Sequence, residues 1–182
     1  MNFDEIENLI KFNGNNPFLV SRGQITTYSG VSHAIANLPH ELRFCEGKFV
    51  SVIAPQGMYL KDFVILLLSL LRLNAKVLIF SPKETPQRIV NQISKIPVSS
   101  LILFDNYSHL APELKNELQT FYNMTTIGFS KLFSQYLSNT YLTVIPAESQ
   151  SLLPNHPYII ILTSGSTGIP KKVVLSVQNF LV

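Results

Sequence analysis

Cysteine is almost absent from this sequence of 182 residues, in which Cys45 is the only one. A single thiol cannot form a disulfide within the chain, and a metal site built on cysteines is excluded for the same reason. The four histidines have no metal-ligand spacing among them. The sequence therefore predicts no metal site made from its own residues.

Long apolar runs are also lacking. The most apolar segment, Phe63 to Leu71, is too short to span a bilayer and has charged residues on both sides. The first residues contain neither a basic region nor a long apolar stretch, so no secretory signal is predicted. Together with the lone cysteine, these absences favour a soluble protein in the reducing cytoplasm.

Charged residues are sparse, at 14% of the chain, and their formal sum is only +3. The basic residues are scattered and form no run that would make a nucleic-acid surface, so that class of protein is excluded. Hydrophobic residues make up 46% of the sequence, which suits a chain with a buried core.

Strand and helix patterns alternate between Phe49 and Phe104. The predicted elements are a strand at 49–54, a helix at about 59–73, a strand at 76–80, a helix from a Thr85-Pro86 cap to about 95, and a strand at 100–104. This order predicts an α/β domain with a mainly parallel sheet flanked by helices. The first two strands should be parallel neighbours, and Asn74 should end the helix between them in a left-handed conformation.

The segments on either side of this unit have weaker patterns. Before it we predict a helix at 2–12, a hairpin at 18–26 and a helix from a Thr27 cap to Asn37. After it we predict a helix at 109–122, a strand at 124–129, a helical turn at 131–137, a strand at 140–145, a loop at 147–157, strands at 158–162 and 173–175, and a helix from Val177.

The run from Thr163 to Lys171 follows an apolar strand and changes abruptly to small polar residues. Small polar residues contribute little to a hydrophobic core. This segment does offer backbone N–H groups, hydroxyls, conformational freedom and a positive charge, which together can bind a phosphate group. The candidate binding residues are Thr163, Ser164, Gly165, Ser166, Thr167, Gly168 and Lys171.

The run from Thr163 to Lys171 can be compared with known types of glycine-rich loop. A Walker A loop, and with it a P-loop nucleotidase, is rejected because Pro170 stands where the last glycine should be. The dinucleotide fingerprint is rejected because its third glycine is missing. A plain Gly/Ser surface turn between two strands stays open, since turns use the same residues.

The run Ser164 to Lys171 resembles the phosphate-binding signature loop of the adenylate-forming superfamily. That superfamily contains acyl- and aryl-CoA ligases, peptide-synthetase adenylation domains and luciferases. The resemblance extends along the chain to the Thr27-Tyr28 helix start, the strand from Phe49 that ends at Pro55, and Leu73-Asn74-Ala75, where the family usually has Gly-Ala.

The resemblance implies a reaction in which a carboxylate attacks the α-phosphate of ATP, magnesium pyrophosphate leaves, and the acyl group passes to a thiol, usually that of CoA. The loop would hold the β- and γ-phosphates. Its four hydroxyl residues would donate hydrogen bonds, Gly165 and Gly168 would allow close backbone approach, and Lys171 would supply charge.

This chain departs from the family pattern next to the loop. Lys172 stands where Gly or Ala is common, and Ser176-Val177 stands where Ser/Thr-His is frequent. The family's adenine-binding aromatic motif, ribose-binding acid, magnesium-binding Glu and C-terminal domain with its catalytic Lys are not matched. We therefore expect residues 1–182 to be the N-terminal part of an AMP-binding domain, inactive in isolation.

Three further expectations concern the substrate, a rival hypothesis and self-association. The run from Ile161 to Lys171 is similar to that of o-succinylbenzoate–CoA ligases of menaquinone synthesis, which makes o-succinylbenzoate the first substrate to consider; an aryl or fatty acid is the alternative. The rival hypothesis is a catalytically inactive phosphate-binding or protein-interaction domain that keeps the fold. Apolar surface after Tyr158 predicts self-association.

Overall fold

The computed structural model describes residues 3–21, 24–37, 40–55, 59–103, 112, 114, 116–117, 125–128, 158–163 and 171–176. The elements in chain order are α1 (Phe3–Asn13), β1 (Pro17–Ser21), β2 (Gln24–Thr27), α2 (Tyr28–Ala36), a 3₁₀ helix (His40–Cys45), β3 (Phe49–Ile53), α3 (Leu60–Arg72), β4 (Lys76–Phe80), α4 (Pro86–Ile93), β5 (Val98–Leu103), β6 (Thr125–Gly128), β7 (Tyr158–Thr163) and β8 (Lys171–Ser176).

The main sheet of the described residues has six strands in the order β6-β5-β3-β4-β7-β8. Neighbours from β6 to β7 run parallel, and β8 runs antiparallel to β7. The prediction of an α/β fold with a mainly parallel sheet flanked by helices is confirmed. So is the expected parallel pairing of β3 with β4, in which Phe49 pairs with Lys76 and Ile53 with Phe80.

The central strands are apolar on both faces because both faces are covered. Val50 and Val52 occupy one face of β3 and Ile53 the other, and all three are buried. This explains why β3 and β4 have nearly continuous apolar sequences instead of alternating ones. Two buried hydroxyls, of Ser51 in β3 and Ser69 in α3, have no hydrogen-bond partner among the described residues.

The turn between α3 and β4 is a Schellman motif. The Ala75 N–H donates to the Leu70 carbonyl and the Asn74 N–H to the Leu71 carbonyl, both at 3.0 Å. Asn74 has φ 57°, so it adopts the left-handed conformation that the sequence predicted. Asparagine tolerates this conformation better than other residues with a Cβ, which explains how the chain turns here without glycine.

The predicted helix caps are confirmed. Thr27 Oγ1 accepts a hydrogen bond from the Gly30 N–H at 3.1 Å at the start of α2. Thr85 Oγ1 accepts one from the Arg88 N–H at 3.4 Å at the start of α4. Each hydroxyl satisfies one of the backbone donors that the first turn of a helix leaves free.

Some elements were predicted less well. The 3₁₀ helix His40–Cys45 has no counterpart among the predictions. In the predicted helix 109–122, residues 112, 114, 116 and 117 are helical, and Leu114 is fully buried. The predicted turn at 131–137, strand at 140–145, loop at 147–157 and helix from Val177 lie outside the described residues. No helix in the described part of the chain is long and apolar enough to cross a bilayer.

One arginine joins the three N-terminal helices. Arg72, the last residue of α3, places its Nε 3.0 Å from Glu7 Oε1 on α1. Its guanidinium also donates to the Ile35 carbonyl at the end of α2, at 3.1 Å. Both side chains of the ion pair are about one quarter exposed, at 26% and 25%, so solvent screens the pair less than an ordinary surface pair.

We predict that Arg72→Ala lowers the free energy of unfolding by roughly 1–3 kcal/mol, because it leaves a partly buried carboxylate and a carbonyl without their donor. Arg88→Ala is the matched control, since Arg88 makes a 3.5 Å pair with Glu84, four residues earlier in the chain, and is 57% exposed. That control should cost no more than about 0.5 kcal/mol. Urea unfolding compares the two, and equal losses would contradict the role of Arg72.

A second pair of variants tests the turn at Asn74. We predict that Asn74→Gly keeps wild-type stability to within about 0.5 kcal/mol, whereas Asn74→Ala is less stable than Asn74→Gly by about 1 kcal/mol, because alanine is strained at positive φ. Urea midpoints with unchanged slopes measure the difference. An alanine variant as stable as the glycine variant would show that the left-handed turn is not maintained in solution.

Candidate functional site

The candidate site begins with β7, which places its end at the carboxyl edge of the sheet. The run Tyr158–Thr163 is rich in isoleucine, and β-branched residues favour strands. Ile159 and Ile160 are 4% and 5% exposed, so the first half of the strand belongs to the core. Parallel pairing with β4 runs from Lys76 opposite Tyr158 to Ile79 opposite Ile161.

β7 and β8 are antiparallel neighbours, and the predicted phosphate loop lies between them in the sequence. The prediction that this loop joins two strands is confirmed, since Thr163 ends β7 and Lys171 begins β8. These two residues are cross-strand partners in the antiparallel register, which puts their Cα atoms about 5 Å apart. The structure therefore brings together the first and last of the seven predicted site residues.

The other five predicted site residues lie outside the described part of the chain. They are Ser164, Gly165, Ser166, Thr167 and Gly168.

The strand order makes the carboxyl end of β7 a switch point. The chain leaves β4 toward β5, which lies on the far side of β3, whereas it leaves β7 toward β8 on the opposite side. Connections that diverge in this way open a crevice outside the carboxyl ends of two neighbouring strands, and ligands of open α/β sheets bind there. Thr163, the last residue of β7 and the first of the predicted site residues, lies at this switch point.

The turn after β4 lies at the same edge and is tightly bonded. The Ser81 Oγ accepts a hydrogen bond from the Lys83 N–H at 3.2 Å, and the Ser81 carbonyl accepts one from the Glu84 N–H at 3.1 Å. The Thr85 cap then starts α4. The sequence predicted this cap, but it contained no signal that the turn follows a strand adjacent to β7, because strand order depends on contacts between distant segments.

Among the described acidic residues, Asp62 has a shifted pKa. It lies in the first turn of α3, where burial raises the pKa of its carboxyl group and the nearby Lys61 charge partly opposes the shift. The described residues contain no group of three or more His, Cys, Asp or Glu that could hold a metal ion. His33 is exposed on α2 and interacts with Asn37.

Residues 7–182 match the model of the AMP-binding enzyme family, so the protein belongs to that family. The resemblance to adenylate-forming enzymes is thereby confirmed at the level of the family, while the o-succinylbenzoate subfamily is not. No sequence among curated proteins gives a significant match.

Solved structures share the fold at low sequence identity. The N-terminal domain of FACL13 from Mycobacterium tuberculosis has a TM-score of 0.73 at 15% identity, over 96% of this chain and 44% of that one. A fatty acyl CoA synthetase from the same organism gives 0.71 at 14%, over 96% and 34%. The N-terminal subdomain of Klebsiella oxytoca NpsA gives 0.64 at 19%, over 96% and 39%. The chain thus spans less than half the length of each.

The single thiol is not part of the candidate site. Cys45 ends the 3₁₀ helix and is fully buried. Burial raises the pKa of its thiol from 9.0 to about 12, and the positive charge of Lys48 only partly opposes this. A neutral buried thiol is a poor nucleophile, because the thiolate is the reactive form.

We predict that Cys45 in the folded protein resists alkylation by iodoacetamide near neutral pH and reacts once urea unfolds the chain. Val174→Cys is the control, since position 174 is 57% exposed and its new thiol should react in the folded state. Mass spectrometry counts the alkylated thiols. Rapid labelling of Cys45 without denaturant would contradict the burial described here.

Proposed function

We propose that this chain supplies the pyrophosphate-holding part of an ATP-dependent carboxylate–CoA ligase. The observation that carries the proposal is the pairing of Thr163 with Lys171 beside the switch point between β4 and β7, in a chain of the AMP-binding enzyme family. The relatives have the same fold as this chain. The activity, the substrates and the CoA acceptor are our inferences for this protein.

Each loop residue has a proposed role. The hydroxyls of Thr163, Ser164, Ser166 and Thr167 donate hydrogen bonds to the β- and γ-phosphates of ATP, and Gly165 and Gly168 allow the backbone to approach them closely. The ammonium group of Lys171 stabilises the charge that builds up as the bond between the α- and β-phosphates breaks. Magnesium bound with ATP would neutralise part of the same charge.

The reaction proposed for the whole enzyme has two steps. A substrate carboxylate oxygen attacks the α-phosphorus, pyrophosphate leaves, and an acyl-adenylate forms. The thiolate of CoA then attacks the acyl carbon and releases AMP. The loop acts in the first step, where it holds the leaving group in line with the attacking carboxylate.

The substrate is proposed more narrowly from the loop sequence. The run from Ile161 to Lys171 is similar to that of o-succinylbenzoate–CoA ligases, so this aromatic acid is the first to test, followed by benzoate and a fatty acid. A cytoplasmic location goes with the proposal, since a reduced thiol such as Cys45 suits that compartment.

Adenylation by residues 1–182 alone is expected to be negligible. Aligning a carboxylate with the α-phosphate contributes on the order of 7–11 kcal/mol when fully realised. We assign that alignment to adenine, ribose and lysine contacts that the loop does not supply. Robust carboxylate-dependent ATP–pyrophosphate exchange by this chain alone would overturn that assignment without touching the phosphate-binding role.

We predict that the chain binds MgATP, MgGTP and magnesium pyrophosphate with similar weak affinity, because the loop recognises phosphate and not the base. Lys171→Ala should weaken all three by roughly ten-fold or more, as expected for a charged hydrogen bond of about 1.5–3 kcal/mol. Isothermal titration measures the constants.

Lys172→Ala is the matched control for that experiment. It removes the same charge one position further along β8, opposite Leu162 instead of Thr163, and successive strand positions belong to opposite faces of the sheet. We expect less than a three-fold change. A Lys171→Ala variant that binds like the wild type, or a larger effect at Lys172, would exclude Lys171 from the site. The rival hypothesis is tested with a longer protein that contains this chain. If that protein binds phosphate but catalyses no ATP–pyrophosphate exchange, an inactive phosphate-binding domain is favoured over a ligase.

A further inference from the structure

The turn after α1 contains Asn13-Gly14, which is the only Asn-Gly step in the sequence. The backbone nitrogen of the residue that follows an asparagine can attack the asparagine side chain, and glycine hinders this attack least because it has no Cβ. Asn13 and Gly14 are both partly exposed, so water reaches them. The turn therefore meets the chemical requirements of a covalent change that needs no enzyme.

Two hydrogen bonds hold this step in an unreactive arrangement. Asn13 Nδ2 donates to the Leu9 carbonyl at 2.8 Å, and the Gly14 N–H donates to the Ile10 carbonyl at 3.3 Å. Both bonds belong to the last turn of α1, and both must break before the Gly14 nitrogen can reach the Asn13 side chain. Opening of that turn therefore controls the reaction.

Few side chains hold the last turn of α1 against the core. Phe12 is 90% exposed, Leu9 is 50% exposed and the Lys11 side chain is 66% exposed, whereas Ile10 is buried. Segments with few buried contacts open locally at a low free energy, without unfolding of the whole domain. The last turn of α1 has the features of such a segment.

We propose that Asn13 is a site of spontaneous deamidation, which proceeds when the last turn of α1 opens. The Gly14 nitrogen attacks Cγ of Asn13 and loses its proton, the bond from Cγ to Nδ2 breaks, and ammonia leaves with that proton. Water then opens the cyclic succinimide. Cleavage between the nitrogen and Cγ gives aspartate, and cleavage between the nitrogen and the main-chain carbonyl carbon of residue 13 gives isoaspartate.

The modification weakens the junction between α1 and α2. The Gly14 carbonyl accepts a hydrogen bond from the Ser29 N–H at 2.7 Å, and the Asn16 carbonyl accepts one from the Tyr28 N–H at 3.1 Å. These bonds satisfy two backbone donors at the start of α2. Isoaspartate adds a methylene group to the main chain directly before Gly14 and displaces these acceptors. Aspartate places a negative charge at the C-terminal end of α1, where the helix dipole disfavours it.

The first test follows every asparagine of the folded protein by peptide mass spectrometry, with chromatographic separation of the aspartate and isoaspartate products. Asn13 should deamidate roughly ten-fold faster than any other asparagine, because it alone precedes glycine. Asn16 is an internal control, since Pro17 has no backbone N–H. An Asn13 that stays intact in the folded protein while it reacts in urea, or another asparagine that reacts as fast, would overturn the proposal.

The second test compares two variants at a position within the last turn of α1. Phe12→Gly and Phe12→Ala both remove a side chain that is 90% exposed, so neither should disturb the core. Asn13 should deamidate roughly four- to five-fold faster in the glycine variant, because glycine favours the open turn over the helix. Asn74→Ala, which weakens a turn elsewhere, should leave the rate unchanged. Equal rates in the two Phe12 variants, or acceleration by Asn74→Ala, would refute control by the last turn of α1.

The effect on the junction has its own measurement. Aged protein in which Asn13 has been converted should unfold at a lower urea concentration than fresh protein, and Asn13→Asp should show the part of that loss that comes from the charge. Equal midpoints for aged and fresh protein would contradict the effect on the α1–α2 junction. The outcome is independent of phosphate binding, so either proposal can fail without the other.

Discussion

The parallel pairing of β7 with β4 is the constraint on which the candidate site depends. Ile159 and Ile160 are almost fully buried there, and their burial fixes how far β7 extends along the sheet. A shift of one residue would exchange its two faces and expose these isoleucines, which makes the register strongly specified. The position of Thr163 at the carboxyl edge, and with it the start of the loop, follows from this register.

Much of the fold could be predicted because it is encoded locally. The bounds of β4, the caps at Thr27 and Thr85 and the left-handed Asn74 each depend on residues within a few positions of each other. Strand order could not be predicted in the same way. The placement of β5 beside β3 and of β7 beside β4 depends on packing between segments far apart in sequence. The 3₁₀ helix His40–Cys45 was missed because its six residues show no apolar period.

The candidate site likewise has features that are encoded locally and features that depend on distant segments. Its residue types follow from chemistry that a short run reveals, because glycines, hydroxyls and one lysine after a buried strand indicate phosphate. What the run cannot reveal is that Thr163 and Lys171 are paired, or that the turn from Ser81 to Thr85 lies at the same edge. The acyl substrate is harder to infer still, since the proposed phosphate loop would contact ATP, which is the same whichever acid is the substrate.

β8 meets two opposing demands. As the second strand of the hairpin it must hold Lys171 opposite Thr163, which favours a regular, well-paired strand. As a strand in which Val173 and Val174 are exposed, it must also avoid uncontrolled pairing with other chains, and lysines commonly serve that purpose. Lys171 and Lys172 lie only at its first two positions, while the exposed Val173 and Val174 follow directly. The charge that the proposed phosphate site needs therefore lies at one end of the strand, directly beside the exposed valines, so the same two lysines serve both demands.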